Sequence, residues 1–133
     1  MSHNSSTLLY LASPYSHSDP SMREWRFQEA CKAAVWLMGQ GFQVFSPIAH
    51  SHPIAVEGRL GTAFADYAEF DKRLIRASDV LAVFELAGWK ESVGVQAELA
   101  YAAELGIRIW YFEKSSSGFA WDNSRGTAGK LAG

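Results

Sequence analysis

The run Asp79–Leu86, DVLAVFEL, constrains this chain more than any other segment. It is short, rich in Val and Phe and apolar on both faces, which is the pattern of a strand covered on both sides of a sheet. A helical stretch, GWKESVGVQAELAYAAELG (88–106), follows it, and IRIWYFE (107–113) reads as the next strand. Strand, helix and strand in that order make a parallel pair joined by a crossover, with helices packed against the sheet.

The same alternation runs upstream. TLLYLA (7–12) is an apolar run ending in the turn formers SPYSHSDPS, hence a buried strand and a loop. A helix starts near DPSMREW, where Asp19 and Pro20 suit the N-cap and first helical position, with Ser21 and Glu24 as an alternative capping box. Phe27, Cys31, Ala34 and Met38 recur along it at helical spacing, and GQG stops it. FQVFS (42–46) is a further strand. The stretch PIAHSHPIAVEGRLGTAF has no clear period and reads as a long functional loop or lid.

Residues 65–77, ADYAEFDKRLIRA, form an amphipathic helix with Phe70 and Leu74 on one stripe and Asp71, Lys72 and Arg76 elsewhere. Residues 114–133 read as a Ser/Gly-rich tail, partly disordered or ordered by a neighbouring chain. The expectation is one α/β domain over residues 1–113, doubly wound, with a mainly parallel sheet of four to five strands and helices on both faces.

A chain of 133 residues can enclose a core of this kind. Its net charge of −2 excludes a sequence-independent grip on a nucleic-acid polymer, which needs a basic field. The single cysteine, Cys31, excludes an intramolecular disulfide; beside Ala30 and Ala34 it reads as a buried structural thiol. No apolar run approaches a membrane span, and the first residues lack a basic segment followed by an apolar one, so a cytoplasmic protein is expected.

In open parallel sheets, ligands sit beyond the carboxyl ends of the strands. Three loops meet there: ASPYSHSD, SPIAHSHP and ELAGWKES. Ser92 suits the cap of the last helix, leaving the amides of Val93, Gly94 and Val95 at its positive end, a place for an anion such as phosphate. Glu98 lies four residues beyond Gly94, on the same face and about 6 Å further along the axis. Gly94 leaves room above that carboxylate, so a sugar can sit there with a 5′-phosphate at the helix end. A surface glutamate would have a lysine one turn away, but Glu98 has Gly94 and Ala102, so it should be desolvated with a raised pKa.

Asp71, taken alone, reads as a solvated partner of Lys72 or Arg73, and Asp79 as a turn residue. His17, His50 and His52 raise the question of a metal, but no helical His-x-x-x-His pair or cysteine cluster accompanies them, so no metal is expected. Tyr15 and Trp89 are placed either to stack on a base or simply to pack.

The segment FDKRLIRASDVLAVFELAGWKESVGVQAELAYAAELGIRIW, together with LYLASPYS, resembles the nucleoside 2-deoxyribosyltransferase-like superfamily. Asp71, Asp79, Gly94 and Glu98 fall on that superfamily's Asp, Asp and Gly-x-x-x-Glu positions. The resemblance implies a flavodoxin- or Rossmann-like fold and a catalytic set of Glu98 as nucleophile, Asp71 as acid/base or base-orienting group, and Tyr10 beside the glutamate. SVGVQAE matches the Ser-x-Gly-x-x-x-Glu of relatives that hydrolyse nucleoside 5′-monophosphates, so Ser92 and Gly94 would bind a phosphorylated substrate. Ser13, Tyr15 and Trp89 would complete the pocket, and Asn123 or Ser124 would reach the site of another subunit in a homodimer or larger assembly.

The loop ASPYSHSD departs from the Gly-rich version of relatives, so Pro14 and Tyr15 reshape the pocket. The implied activity is cleavage of the N-glycosidic bond of a (deoxy)nucleoside 5′-monophosphate without metal or organic cofactor. A deoxyribosyltransferase and a non-catalytic nucleotide sensor are the alternatives. A flavin-binding domain would want a Ser/Thr-rich phosphate loop, which SPYSHSDPS only half supplies.

Overall fold

A computed structural model describes residues 6–125. In chain order the elements are β1 (Leu8–Ala12), α1 (Pro20–Gly39), β2 (Gln43–Phe45), α2 (Pro47–Gly58), a 3-10 turn (Phe64–Asp66), α3 (Ala68–Arg76), β3 (Val80–Phe84), α4 (Val93–Leu105), β4 (Arg108–Ser115) and β5 (Gly118–Trp121). The described residues form one sheet in the order β2-β1-β3-β4-β5, parallel except for β5. Every residue of β3 is buried, as its apolar sequence requires of the central strand.

Strand alternation divides the core in two. Leu9, Leu11, Val80, Ala82 and Phe84 face α1, where Ala33 and Leu37 meet them. Tyr10, Ala12, Leu81 and Val83 face the other way, toward Ile75 of α3 and Val95 and Ala102 of α4. The chain leaves β1 in one direction and returns to β3 in the other. Right-handed crossovers therefore put α1 on one face and α3 and α4 on the opposite one. The point of reversal, between β1 and β3, opens a crevice at their carboxyl ends.

Several elements differ from the sequence expectation. The stretch expected to be a loop from Pro47 is a helix to Gly58, with Ser46 as N-cap accepting from the Ala49 amide at 3.1 Å. Its buried stripe is Ile48, His52 and Ala55; a histidine in the middle of that stripe and Pro53 inside the helix hide the period. The helix expected over residues 65–77 is divided into the 3-10 turn and α3, and its inner face carries Asp71 and Ile75, with Phe70 left 42% exposed.

On α1 the Asp19 cap and Pro20 stand as expected, but the face toward the sheet is Glu29, Ala30, Ala33 and Leu37. Met38 is exposed and Cys31 only half-buried, because the small Ala30 and Ala33 bring the helix close to the sheet along a stripe one residue over. The segment from residue 114 is no tail through residue 121. It completes β4, turns at Ser116 and Ser117 into Gly118 (φ 111°), and adds β5 as an antiparallel edge. The aromatic side chains of Phe119 and Trp121, which pack on Trp36, give that strand its hold. No helix among the described residues is long and apolar enough to cross a membrane.

Candidate active site

A cavity of about 440 Å³, within the range of small-ligand sites, lies at the reversal point. The loop after β1 supplies Ser13, Tyr15 and Ser16; the residues around the start of α4 supply Glu91, Ser92, Val93, Gly94 and Glu98. Asp71 of α3 stands with Glu98 in the wall, and α2 and the 3-10 segment close the remaining sides.

Glu98 is buried, as its apolar helix required, and its Oε2 accepts a hydrogen bond from the Tyr10 hydroxyl at 2.5 Å. Burial pushes the Glu98 carboxyl up to about 8; the bond from Tyr10 opposes the shift and the neighbouring Asp71 adds to it. Burial also raises Asp71, to about 6, against the pull of Glu98 and Tyr10. Two carboxyls packed this closely cannot both ionise easily, so the pair holds one proton around neutrality. Asp71 is 5% exposed, with Oδ1 buried and unpaired, and Ser13 Oγ is unpaired as well. Both atoms belong to side chains that line the cavity, which leaves them ready for a ligand's polar groups.

At the helix end, Ser92 Oγ accepts from the Val95 amide at 3.1 Å. That amide is therefore taken, contrary to the expectation of three open donors, and those of Val93 and Gly94 remain as the first two of the helix. Among the described residues no lysine or arginine lines the cavity, and the groups there that suit an anion are the helix terminus and hydroxyls. The room above Gly94 is also bounded: a Cβ there would lie 3.2 Å from Phe64 Cδ1. The missing side chain lets that ring settle against the helix start.

Residues 7–114 match the family model described as Domain of unknown function (DUF1937). The chain belongs to this family. No curated protein matches it. Among solved structures it is similar to a 2-desoxiribosyltransferase from Leishmania mexicana, with 18% identity over 88% of this chain and 79% of that one, at a TM-score of 0.54. The likeness is one of fold.

Of the residues singled out in sequence, this DUF1937 domain brings Ser13, Tyr15, Asp71, Ser92, Gly94 and Glu98 to one cavity. Tyr10 is fully buried behind Glu98 and does not line the cavity, so it positions the carboxylate. Trp89 does not reach it either; its ring packs on Tyr111 at 5.9 Å, under the Arg125 guanidinium at 5.2 Å. Asn123 is exposed in the turn after β5, away from the lining of its own chain's cavity. Asp79 accepts from the Leu8 amide at 2.8 Å, tying β1 to the start of β3.

The three histidines are occupied separately: His17 accepts from the Asp19 amide, His50 packs on Phe70, and His52 is buried between Tyr15 and Glu24. The lining residues absent from the sequence-derived set, chiefly Pro47, Ile48, Ser51, His52 and Phe64, come from the stretch expected to be a loop, and Tyr67 from the start of the segment expected to be a helix. The pair Ser46–Pro47, a capping residue before a proline, was the signal for the helix that carries Pro47, Ile48, Ser51 and His52.

Proposed function

We propose that this protein cleaves the N-glycosidic bond of a nucleoside 5′-monophosphate, most readily a deoxy one, and releases the free base. The observation that carries this reading is the buried Glu98, held by Tyr10 beside Asp71 in the wall of a cavity that also takes in the open end of α4. The phosphate rests on the amides of Val93 and Gly94 with Ser92, and the sugar lies over Glu98. As the bond to the base lengthens, positive charge grows on the sugar, and the Glu98 carboxylate stabilises or captures it. The base must leave with a proton, and the single proton of the Asp71–Glu98 pair supplies it through Asp71. Water then attacks the sugar carbon, its hydroxyl going to the sugar and its proton returning to the pair.

Transfer to a second base would share the first half of this reaction and differ only in what takes the sugar. The experiment is incubation of the protein and of Glu98→Gln with nucleosides and 5′-monophosphates, with and without an acceptor base. Base released from monophosphates without acceptor, and lost in the variant, is the expected result. Product formed only with acceptor replaces hydrolysis by transfer. Binding without release of base by either protein overturns both.

A further inference from the structure

Beyond the carboxyl pair and the helix end, two lining residues, Tyr15 and His52, belong to a chain of three polar groups that the glycosidic step does not use. Glu24 lies on the outer side of α1, and its Oε1 accepts from His52 Nε2 at 2.8 Å. His52 Nδ1 lies 2.7 Å from the Tyr15 hydroxyl, and Tyr15 and His52 both line the cavity. The imidazole is buried, with its centroid 4.5 Å from that of Phe27 and Tyr15 set against it edge-on. It cannot turn without breaking both bonds.

The direction of the chain follows from what each group can do. A carboxylate only accepts, and the bonds from His52 and Gln28 hold Glu24 below the usual carboxylate range, so it is ionised. The bond to Glu24 therefore selects the tautomer with its hydrogen on Nε2, in which Nδ1 is an acceptor and takes the one hydroxyl proton of Tyr15. Arg23 and Tyr67 are the other ionisable groups beside the phenol. Arg23 donates to the Tyr15 oxygen and takes one of its two lone pairs, and Tyr67 gives its own proton to the Gly61 carbonyl at 2.6 Å. What Tyr15 can offer a ligand is its remaining lone pair.

We propose that Tyr15, held in this state by His52 and Glu24, is a specificity-determining acceptor that selects nucleotides whose base carries an exocyclic amine over those with a carbonyl in its place. The proposal rests on the nucleotide reading of the cavity. A carbonyl against Tyr15 sets acceptor against acceptor, and the phenol can relieve that only by leaving Nδ1 unpaired. A site built around a hydrogen bond discriminates strongly for this reason.

The test is calorimetric binding of two matched pairs to Glu98→Gln, adenosine against inosine 5′-monophosphate and cytidine against uridine 5′-monophosphate, alongside base release by the unaltered protein. The expected result is an amino preference of about 10–100-fold in Kd within at least one pair. Adding Tyr15→Phe, which removes one oxygen atom, should bring the ratio within about threefold of unity. Adding His52→Leu frees the Tyr15 proton to point at the ligand and should reverse the preference. Equal binding of the members of each pair, or a preference that survives Tyr15→Phe, overturns the proposal, whether or not the His52 variant folds. Amino-selective binding without base release overturns the glycosidase reading alone; base release without selectivity overturns this one alone. Failure of every pair to bind overturns both.

Discussion

Two glutamates in this protein are almost equally buried, Glu29 on α1 at 4% exposed and Glu98 on α4 at 5%. Their surroundings are opposite. Glu29 accepts from Lys32 Nζ at 3.1 Å and from Lys114 Nζ at 2.9 Å, clamping α1 to β4. Burial works to raise its pKa, but the two ammonium groups outweigh it and hold the carboxyl below its usual value. Burial raises Glu98 to about 8, with Asp71 adding to the rise and only the Tyr10 phenol opposing it. Low exposure is common to both, so it does not distinguish a structural acid from a reactive one. What differs is that no cation among the described residues is bonded to Glu98, and this supports the proposed role for it, because its charge is left to be stabilised by whatever enters the cavity.

Substituting each acid breaks the comparison most sharply. Glu98→Gln should lower base release by at least about a thousandfold, as its proposed role requires, while Glu29→Gln should leave it within about threefold. Equal losses in the two variants would remove Glu98 from the chemistry. Tyr10→Phe should have the next largest effect, roughly 10–100-fold in kcat/KM. Because the Tyr10 bond holds the Glu98 pKa down, its removal should move the ascending limb of the pH–rate profile to higher pH. A uniform loss with no shift would make Tyr10 a packing residue only.

Stability should separate the two acids by sign. Glu98 is a weaker acid in the folded chain than its ordinary 4.5, so its favourable contribution is complete below that pH and is lost as pH rises through about 8. Glu98→Gln should therefore gain thermal stability relative to the parent over that interval, by on the order of 2 kcal/mol. Glu29 is a stronger acid when folded, so its contribution is present above its ordinary pKa and fades as pH falls. Glu29→Gln should cost about 1–2 kcal/mol near neutrality, since both lysines can recover water, and the difference should shrink in acid. Thermal melts across pH check both signs. The smallest effect is expected at Ser92→Ala, about 1 kcal/mol of helix stability from the lost cap. It should also raise KM several-fold for monophosphates and leave nucleosides unchanged.

Glu98 was legible in the sequence because its neighbours one turn away, Gly94 and Ala102, cannot pair with it whatever the fold. Asp71 was not legible from its own neighbourhood. Lys72 and Arg73 beside it made a solvated acid the natural reading, and only the superfamily resemblance pointed inward. The packing of α3 against α4 turned its face so that Asp71 and Ile75 are buried and Phe70 is partly exposed. His52 was harder still: it lies on a helix whose Pro53 and central histidine hide its period, and its partners Tyr15 and Glu24 come from other elements.

The sequence by itself determined the α/β alternation, the central strand, the α1 and α4 caps and the isolation of Glu98. All of these depend on spacing within a few residues, where helix and strand periods and capping chemistry act directly. Tertiary structure alone decided that Asp71 stands beside Glu98 and that Tyr15 is locked by a histidine 37 residues away. It also decided that Glu29 is neutralised by a lysine 85 residues away. Those relations are set by how helices cross a twisted sheet, and the charge state of a buried group depends on the neighbours that crossing brings to it.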